Sequence, residues 1–142
     1  MLYNTLGKTG LKVSRLGFGT MRLPTTNSNA DINKQEASEM LTYGIENGIN
    51  IIDTAYPYHS AELDGNGNSE KFLGEYLTEN SLRDEIILQT KSPSWLMEKR
   101  SDFDYYLDIQ LEKLQTDYID IYLLHSLTVP DWNKVRDLGA LD

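Results

Sequence analysis

The segment Asn50–His59 constrains the fold of this chain more than any other stretch of the sequence. It starts as a short run of β-branched apolar residues, which predicts a buried strand, and the run stops at the carboxylate of Asp53. Pro57 then ends regular structure, because proline lacks a backbone N–H and restricts the residue before it. Asp53 is therefore predicted at the C-terminal end of a strand, with Tyr58 on the loop beyond it. Parallel α/β proteins bind their ligands at that edge.

Strand and helix patterns alternate along the rest of the chain. Such alternation implies a parallel sheet with crossover helices. The predicted elements are a hairpin of Met1–Asn4 and Lys12–Arg15, a strand at Leu16–Met21, a helix at Lys34–Asn47 with Gly48 as its C-cap glycine, a strand at Asn50–Ala55, a helix at Glu70–Glu79 with Ser69 as its N-cap, a strand at Glu85–Lys91, a helix at Asp102–Gln115, a strand at Tyr118–His125, and a fourth helix capped by Asp131 and beginning near Trp132.

Length and composition exclude several classes of protein. A chain of 142 residues suits one modest domain, residues 1–142. It contains no cysteine, so disulfides and thiolate metal sites are excluded within it, and no metal site is expected. The formal net charge of −9 argues against binding nucleic acid. Neither a secretory signal nor an apolar run of roughly 18 residues is visible, so a soluble cytoplasmic protein that avoids membranes is expected.

Polar residues follow the apolar runs of three predicted strands. Asp53, Lys91 and His125 each end a different strand, and Tyr58 stands on a following loop. Because parallel strands bring their C-terminal ends to one side, we expect these four side chains to converge. A lysine beside a phenol favours the ionised phenol, and an aspartate keeps that lysine charged. With a histidine that donates to a substrate oxygen, they would form a proton donor for a carbonyl that becomes an alkoxide.

Each of these residues also has an ordinary structural interpretation. Asp53 is a common residue for capping the turn after a strand, and Tyr58 fits an exposed loop. Lys91 fits a surface turn, and a lone histidine such as His125 is more often structural than catalytic. It is the coincidence of four polar residues at strand ends that favours a shared active site.

The chain resembles the aldo-keto reductase family over nearly its whole length. The segments that carry this resemblance are Leu16-Gly17-Phe18-Gly19-Thr20-Met21, Asp53-Thr54-Ala55-Tyr56-Pro57-Tyr58, Thr90-Lys91, Tyr118-Ile119-Asp120-Ile121-Tyr122-Leu123-Leu124-His125, and Ser69-Glu70 followed by Leu73-Gly74. The family fold is an eight-stranded (β/α) barrel of typically ~250 residues. The resemblance therefore implies an α/β chain with an N-terminal hairpin and the first four strands of an incomplete TIM barrel. The sequence around Tyr58 is most similar to a bacterial branch that often carries a C-terminal iron–sulfur segment.

The same resemblance implies a function. It assigns Tyr58 as the general acid that helps reduce a small carbonyl substrate, Lys91 and Asp53 as the groups that tune it, and His125 as the group that orients the carbonyl. The hydride would come from NADPH, since a cofactor of this kind supplies the hydride while the protein supplies orientation and electrostatics. Four residues match positions on the nicotinamide side of the family's site: Gly19, Thr20, Met21 and Asp53.

Two departures from the family pattern raise an alternative. His59 follows Tyr58 where the family usually has glycine, and the loop to Ser69 is longer by residues around 61–68; we expect His59 to be a solvated loop histidine. The chain also stops after four predicted strands, so the phosphate-binding residues, and any iron–sulfur cysteines, would lie in a longer parent protein. The alternative is a catalytically inactive, truncated half-barrel or an assembly partner, which would self-associate through its exposed edges.

Overall fold

The computed structural model describes residues 1–62 and 65–141 of the chain. The loop expected at 61–68 therefore lies partly outside the described residues, and so does the last residue of the predicted domain 1–142. The strands are β1 (Tyr3–Thr5), β2 (Lys12–Ser14), β3 (Phe18–Gly19), β4 (Ile51–Asp53), β5 (Ile87–Ser92) and β6 (Ile121–Leu124). The helices are α1 (Lys34–Glu46), α2 (Ser69–Glu79), α3 (Ser101–Leu114) and α4 (Val129–Asp137).

Two separate sheets confirm the predicted α/β architecture. β1 and β2 pair as an antiparallel hairpin, whereas β3, β4, β5 and β6 form a parallel sheet in that order. α1, α2 and α3 are the crossover connections between successive parallel strands, as the alternating pattern predicts. The sheet is open, with β3 and β6 at its two edges, so within the described residues the barrel is incomplete.

The hydrophobic core lies between the parallel sheet and the crossover helices. Its fully buried members come from both layers: Leu41 of α1, Ile52 of β4, Leu73 and Leu77 of α2, and Leu88 of β5. Burial of an aliphatic side chain of this size contributes about 1.5–3 kcal/mol relative to exposure. This packing fixes the helices against the strands, and it thereby fixes where the strand ends and their loops stand.

The beginning of α2 differs from the prediction. Ser69 is the first residue of the helix rather than its N-cap, a position that Asn68 occupies without a side-chain capping bond. The Ser69 side chain points inward and is fully buried, with its Oγ 2.7 Å from Thr20 Oγ1 and 3.0 Å from Thr54 Oγ1. Ser69 therefore connects β3, β4 and α2 instead of ending the helix.

Other element boundaries also differ from the predicted ones by a few residues. α4 starts at Val129, and its N-cap is Thr128, which forms a capping box with Asp131, so the prediction of Asp131 as the cap was wrong. β5 begins at Ile87, since Glu85 ends a short 3-10 turn. The prediction for Gly48 is confirmed: it follows the C-cap of α1 with a φ of +92°, a conformation that glycine adopts freely. No helix among the described residues is long and apolar enough to cross a membrane.

Candidate active site

The C-terminal ends of the parallel strands bring the predicted polar residues to one edge. Asp53 is the last residue of β4, Lys91 lies one residue before the end of β5, and His125 directly follows β6. The backbone N–H of His125 donates to Ser92 O at 3.0 Å, which extends the β5–β6 pairing to that histidine. The parallel register of the strands thus produces the convergence that the sequence predicts.

Lys91 is the central residue of this edge. Its Nζ lies 2.7 Å from Asp53 Oδ2, 2.7 Å from the carbonyl oxygen of Thr54 and 3.1 Å from the Tyr58 hydroxyl. These three contacts use the three donors of an ammonium group. The Lys91 side chain is only 13% exposed, so it is not a surface lysine, and Gln89 donates to the other carboxylate oxygen of Asp53.

Tyr58, His125 and Trp95 form a cluster of rings at this edge. The ring centroids of Tyr58 and His125 are 5.7 Å apart in an edge-to-face arrangement, and those of Trp95 and His125 are 5.4 Å apart. These residues line a pocket of about 590 Å³. The pocket is also lined by Met21, Arg22, Asn29, Pro57, His59, Ser60, Ala61, Glu62 and Ser126. This volume is large enough for a small organic molecule. The polar groups that line the pocket come from Tyr58, His125, the loop after β3 and the loop that carries Tyr58.

The residues predicted on the nicotinamide side have different surroundings in the structure. Gly19 pairs with Asp53 in the β3–β4 register, and a Cβ at Gly19 would meet no atom within 4 Å, so the backbone there is open to a ligand. Met21 lines the pocket and is 53% exposed. Thr20 is fully buried instead, and its hydroxyl donates to Asp53 O at 3.1 Å. Gly19 and Met21 are thus accessible, whereas the Thr20 side chain supports the strand end.

His59 is a site residue that the sequence analysis misplaced. It is 2% exposed rather than solvated, because its ring is inserted between its own loop and the loop after β3. Nδ1 lies 2.7 Å from Asn29 O, and the backbone N–H of Leu23 donates to Nε2 at 3.0 Å. Its φ of +59° is also unusual for a residue other than glycine. No local sequence signal indicates this insertion, because both partners are backbone groups of a distant loop.

A second, fully buried carboxylate lies behind the active site. Glu70 Oε1 accepts from Thr90 at 2.6 Å and from the Gln110 side-chain amide, while Lys113 Nζ lies 2.7 Å from Glu70 Oε2. Gln110 also donates to the backbone oxygen of Lys91 at 3.2 Å, so this network connects α2 and α3 to the strand that carries the lysine. The Ser69-Glu70 pair belongs to the resemblance, and that was the one available signal for Glu70.

Tyr122 of β6, which is 36% exposed, joins this network from the edge strand. Its hydroxyl donates to Gln110 Oε1 at 2.7 Å. Burial raises the pKa of Tyr122 well above its usual range, and the nearby negative charge of Glu70 raises it further. Tyr122 is therefore held in its neutral form and serves the network as a hydrogen-bond donor.

The fold and the site together define an incomplete (β/α) barrel with a lysine–aspartate–tyrosine cluster at the C-terminal ends of its strands. The model described as "Aldo/keto reductase family" matches residues 15–132 of the chain. The chain belongs to this family.

Curated relatives agree with that assignment. Protein tas of Escherichia coli (strain K12) is 34% identical over 137 residues, which cover 88% of this chain and 38% of that protein. The aldo-keto reductase YhdN of Bacillus subtilis (strain 168) is 32% identical over 132 residues, which cover 88% of this chain and 38% of that protein. The chain thus spans about two fifths of the length of these relatives.

Solved structures show the same partial correspondence. The holo form of the aldo-keto reductase AKR11C1 from Bacillus halodurans matches with a TM-score of 0.74 and 30% identity, over 99% of this chain and 45% of that chain. An aldo/keto reductase from Klebsiella pneumoniae, in complex with NADP and acetate, matches with a TM-score of 0.66 and 28% identity, over 92% of this chain and 43% of that chain.

Proposed function

We propose that this chain carries the proton-donating part of a carbonyl reductase site, in which Tyr58 is the general acid and NADPH is the source of hydride. The observation that carries the proposal is the position of Lys91 Nζ, 3.1 Å from the Tyr58 hydroxyl and 2.7 Å from Asp53 Oδ2. Membership of the aldo/keto reductase family supports it. We also propose that the substrate is a small carbonyl compound and that the protein reduces it.

The proton step follows from the donor pattern around Tyr58. The Lys91 ammonium group donates to the Tyr58 oxygen, so the hydrogen of that hydroxyl points to another acceptor, the oxygen of a carbonyl in the pocket. When the carbonyl carbon gains a hydride, its oxygen takes the Tyr58 proton and the product is an alcohol. The phenolate left behind is stabilised by the adjacent ammonium group and regains a proton from solvent.

Asp53 and His125 have supporting roles in this proposal. Asp53 accepts from Lys91 and thereby keeps the lysine charged and directed at Tyr58. The His125 and Tyr58 rings stand edge to face with centroids 5.7 Å apart, close enough for His125 to direct a carbonyl oxygen towards the tyrosine. A positioned acid of this kind typically contributes 10²–10⁴-fold, roughly, to a reaction rate.

NADPH supplies a hydride equivalent when it is bound. In this chain, Gly19 and Met21 would contact its nicotinamide ring, and Asp53 would border that face. The relative from Klebsiella pneumoniae with NADP bound supports this choice of cofactor. We propose that the phosphate-binding residues belong to a longer parent protein, together with the remaining strands. This chain contains no cysteine, so any iron–sulfur segment of the kind found in the similar bacterial branch would also lie in such a parent.

A second candidate function is an inactive half-barrel that serves as an assembly partner. Apolar side chains near the edge strand β6 favour it: Leu123 is 39% exposed, Leu127 is 40% exposed and Val129 is 75% exposed. An exposed strand edge with apolar neighbours is a surface on which other strands can pair. Under this candidate the chain would self-associate through that edge and would show no turnover.

Titration with NADPH followed by a carbonyl reduction assay tests the first proposal. We expect saturable quenching or enhancement of nicotinamide fluorescence, and oxidation of NADPH when benzaldehyde is added. Tyr58→Phe should lower that turnover by roughly 10²–10⁴-fold without altering the circular dichroism spectrum. Tyr43→Phe is the matched control, because Tyr43 is 71% exposed on α1 and lies outside the pocket.

The outcomes separate the two candidates. Equal turnover in the two tyrosine variants would exclude Tyr58 as the acid. A cooperatively folded chain with no NADPH response, whose mass by light scattering rises with concentration, would favour the assembly partner. Leu123→Lys should then restore the monomer, because a charge at that strand edge opposes pairing.

A further inference from the structure

His59 joins the Tyr58 loop to the loop that follows β3. Three of the hydrogen bonds that connect the two loops involve His59 or its neighbour Ser60: Leu23 N–H to His59 Nε2 at 3.0 Å, His59 Nδ1 to Asn29 O at 2.7 Å, and the Asn29 side-chain amide to Ser60 O at 3.0 Å. Three of these residues, His59, Ser60 and Asn29, also line the pocket beside Tyr58. The histidine therefore lies at the junction that shapes one wall of the candidate site.

The two ring contacts determine which nitrogen of His59 carries the proton. A backbone N–H can only donate, so Nε2 accepts from Leu23 and carries no hydrogen. A carbonyl oxygen can only accept, so Nδ1 must donate to Asn29. The ring is thus neutral with its hydrogen on Nδ1, since a doubly protonated ring would place two donors face to face at Leu23.

The backbone conformation of His59 would suit glycine, which indicates that the imidazole ring has a role of its own. Its φ of +59° is a conformation that glycine adopts without strain and that other residues occupy where the surroundings impose it. The surroundings here include the Asn68 N–H, which donates to His59 O at 3.1 Å. Glycine at position 59 would adopt this φ and accept the hydrogen bond from Asn68, but it would make no side-chain contact. The histidine adds two hydrogen bonds that glycine cannot make, both to the loop after β3.

We propose that His59 is a positioning residue of the carbonyl site: its neutral ring fixes Leu23 and Asn29, the two ends of one loop segment, and thereby holds Asn29 in the pocket wall beside Tyr58. Met21 and Arg22, which precede that segment, line the same pocket, so loss of the ring would loosen the wall rather than remove the acid. The effect on catalysis rests on the proposed function. The tautomer and the fixed wall are properties of the chain whether or not it reduces a carbonyl.

Nuclear magnetic resonance of the chain tests the wall directly. Long-range ¹H–¹⁵N correlation in the unaltered chain should show His59 with a protonated Nδ1 and an unprotonated Nε2. His59→Gly should speed exchange of the Leu23 amide by roughly ten-fold, the effect of losing one buried hydrogen bond. His59→Gln should speed it less, because its side-chain oxygen can reach the position of Nε2. A proton on Nε2, or unchanged Leu23 exchange in His59→Gly, would overturn the proposal.

Kinetics then tests the consequence for the site. With NADPH and benzaldehyde, His59→Gly should raise KM by roughly ten-fold and change kcat by less than about two-fold, with partial rescue by His59→Gln. A general loss of structure would instead lower the amount of active protein and leave KM unchanged, which contradicts positioning. Absence of turnover in the unaltered chain would overturn the proposed function only. The tautomer in the unaltered chain and the Leu23 exchange rate in His59→Gln would still decide the role of His59, even where His59→Gly fails to fold.

Discussion

Lys91 and Asp53 form a largely buried ion pair in which Nζ and Oδ2 are 2.7 Å apart. The pair joins the ends of β4 and β5 and faces the Tyr58 hydroxyl, 3.1 Å from Nζ. A pair in this place has two effects, since it neutralises two charges at the strand ends and supplies a positive charge beside a phenol. The two effects are separable by experiment.

Replacement of Lys91 by methionine should affect both stability and activity. The variant leaves Asp53 without its counter-ion, and removal of one partner of a largely buried pair should destabilise the fold by about 3 kcal/mol in urea unfolding. Carbonyl reduction should fall by roughly 10²–10⁴-fold. Lys34→Met is the control, because the Lys34–Glu75 pair involves a lysine side chain that is 65% exposed and should contribute at most ~1 kcal/mol. Equal destabilisation in the two variants would contradict this interpretation of the Lys91 pair.

Gly67 should tolerate no side chain, because the loop returns here against the Tyr58 backbone. A Cβ on Gly67 would lie 2.0 Å from the carbonyl oxygen of Tyr58, and the Gly67 N–H donates to Tyr56 O at 2.8 Å. Gly67→Ala should therefore displace Tyr58, lower the free energy of unfolding by about 1–3 kcal/mol and reduce turnover.

For unfolding, Gly19→Ala is the matched control for Gly67→Ala. A Cβ at Gly19 would meet no atom within 4 Å, so its urea midpoint should stay close to that of the unaltered chain. If Gly67→Ala unfolds at the same urea concentration as the unaltered chain, the close approach of the loop to Tyr58 does not exist in solution.

Glu70→Gln should destabilise the chain more than any change at an exposed ion pair. Glu70 is fully buried and pairs with Lys113, whose side chain is 14% exposed, so the variant leaves a lysine with little access to water and no counter-ion. We expect a loss of about 3 kcal/mol in urea unfolding. Arg136→Gln should cost less than ~1 kcal/mol, because its pair with Asp137 is exposed. If Glu70→Gln lowers the free energy of unfolding by no more than Arg136→Gln does, Lys113 reaches solvent in the folded chain.

Tyr122 should make the fold sensitive to alkali. Burial raises the pKa of Tyr122 in the folded state above the unfolded value of about 10, so its contribution to stability is complete below that pH. Above it, the unfolded state loses the proton first, so stability should fall with pH, by clearly less than the ~1.4 kcal/mol per pH unit of a fully buried group because Tyr122 is 36% exposed. Tyr122→Phe should remove this part of the slope in urea midpoints measured from about pH 9 to 11.

The comparison for Tyr122 is Tyr43→Phe. Tyr43 is 71% exposed on α1, so its replacement should leave the alkaline slope as it is in the unaltered chain. Burial also raises the pKa of Tyr56 and Tyr106, and those groups contribute to the slope in both variants. An identical slope in Tyr122→Phe and Tyr43→Phe would contradict the raised pKa of Tyr122 in solution.

Local patterns in the sequence predicted most of the elements, because hydrophobic periodicity and turn residues act over a few positions of the chain. They failed at boundaries where a side chain has a distant partner. Ser69 was predicted as a cap because serine before an apolar run favours one, yet its hydroxyl bonds to Thr20 and Thr54, which directly follow the neighbouring strands β3 and β4. Such contacts override local preference, and they become known only when the strands are placed.

The sequence by itself determined that Asp53, Lys91 and His125 end parallel strands, and therefore that they meet with Tyr58 at one edge. The reason is geometric, since parallel strands share a direction and their ends share a side. The tertiary structure alone decided that Lys91 joins Asp53 to Tyr58, that Glu70 is buried against Lys113, and that His59 is inserted between two loops. Those relationships join residues 33–43 positions apart, over which no local pattern carries information.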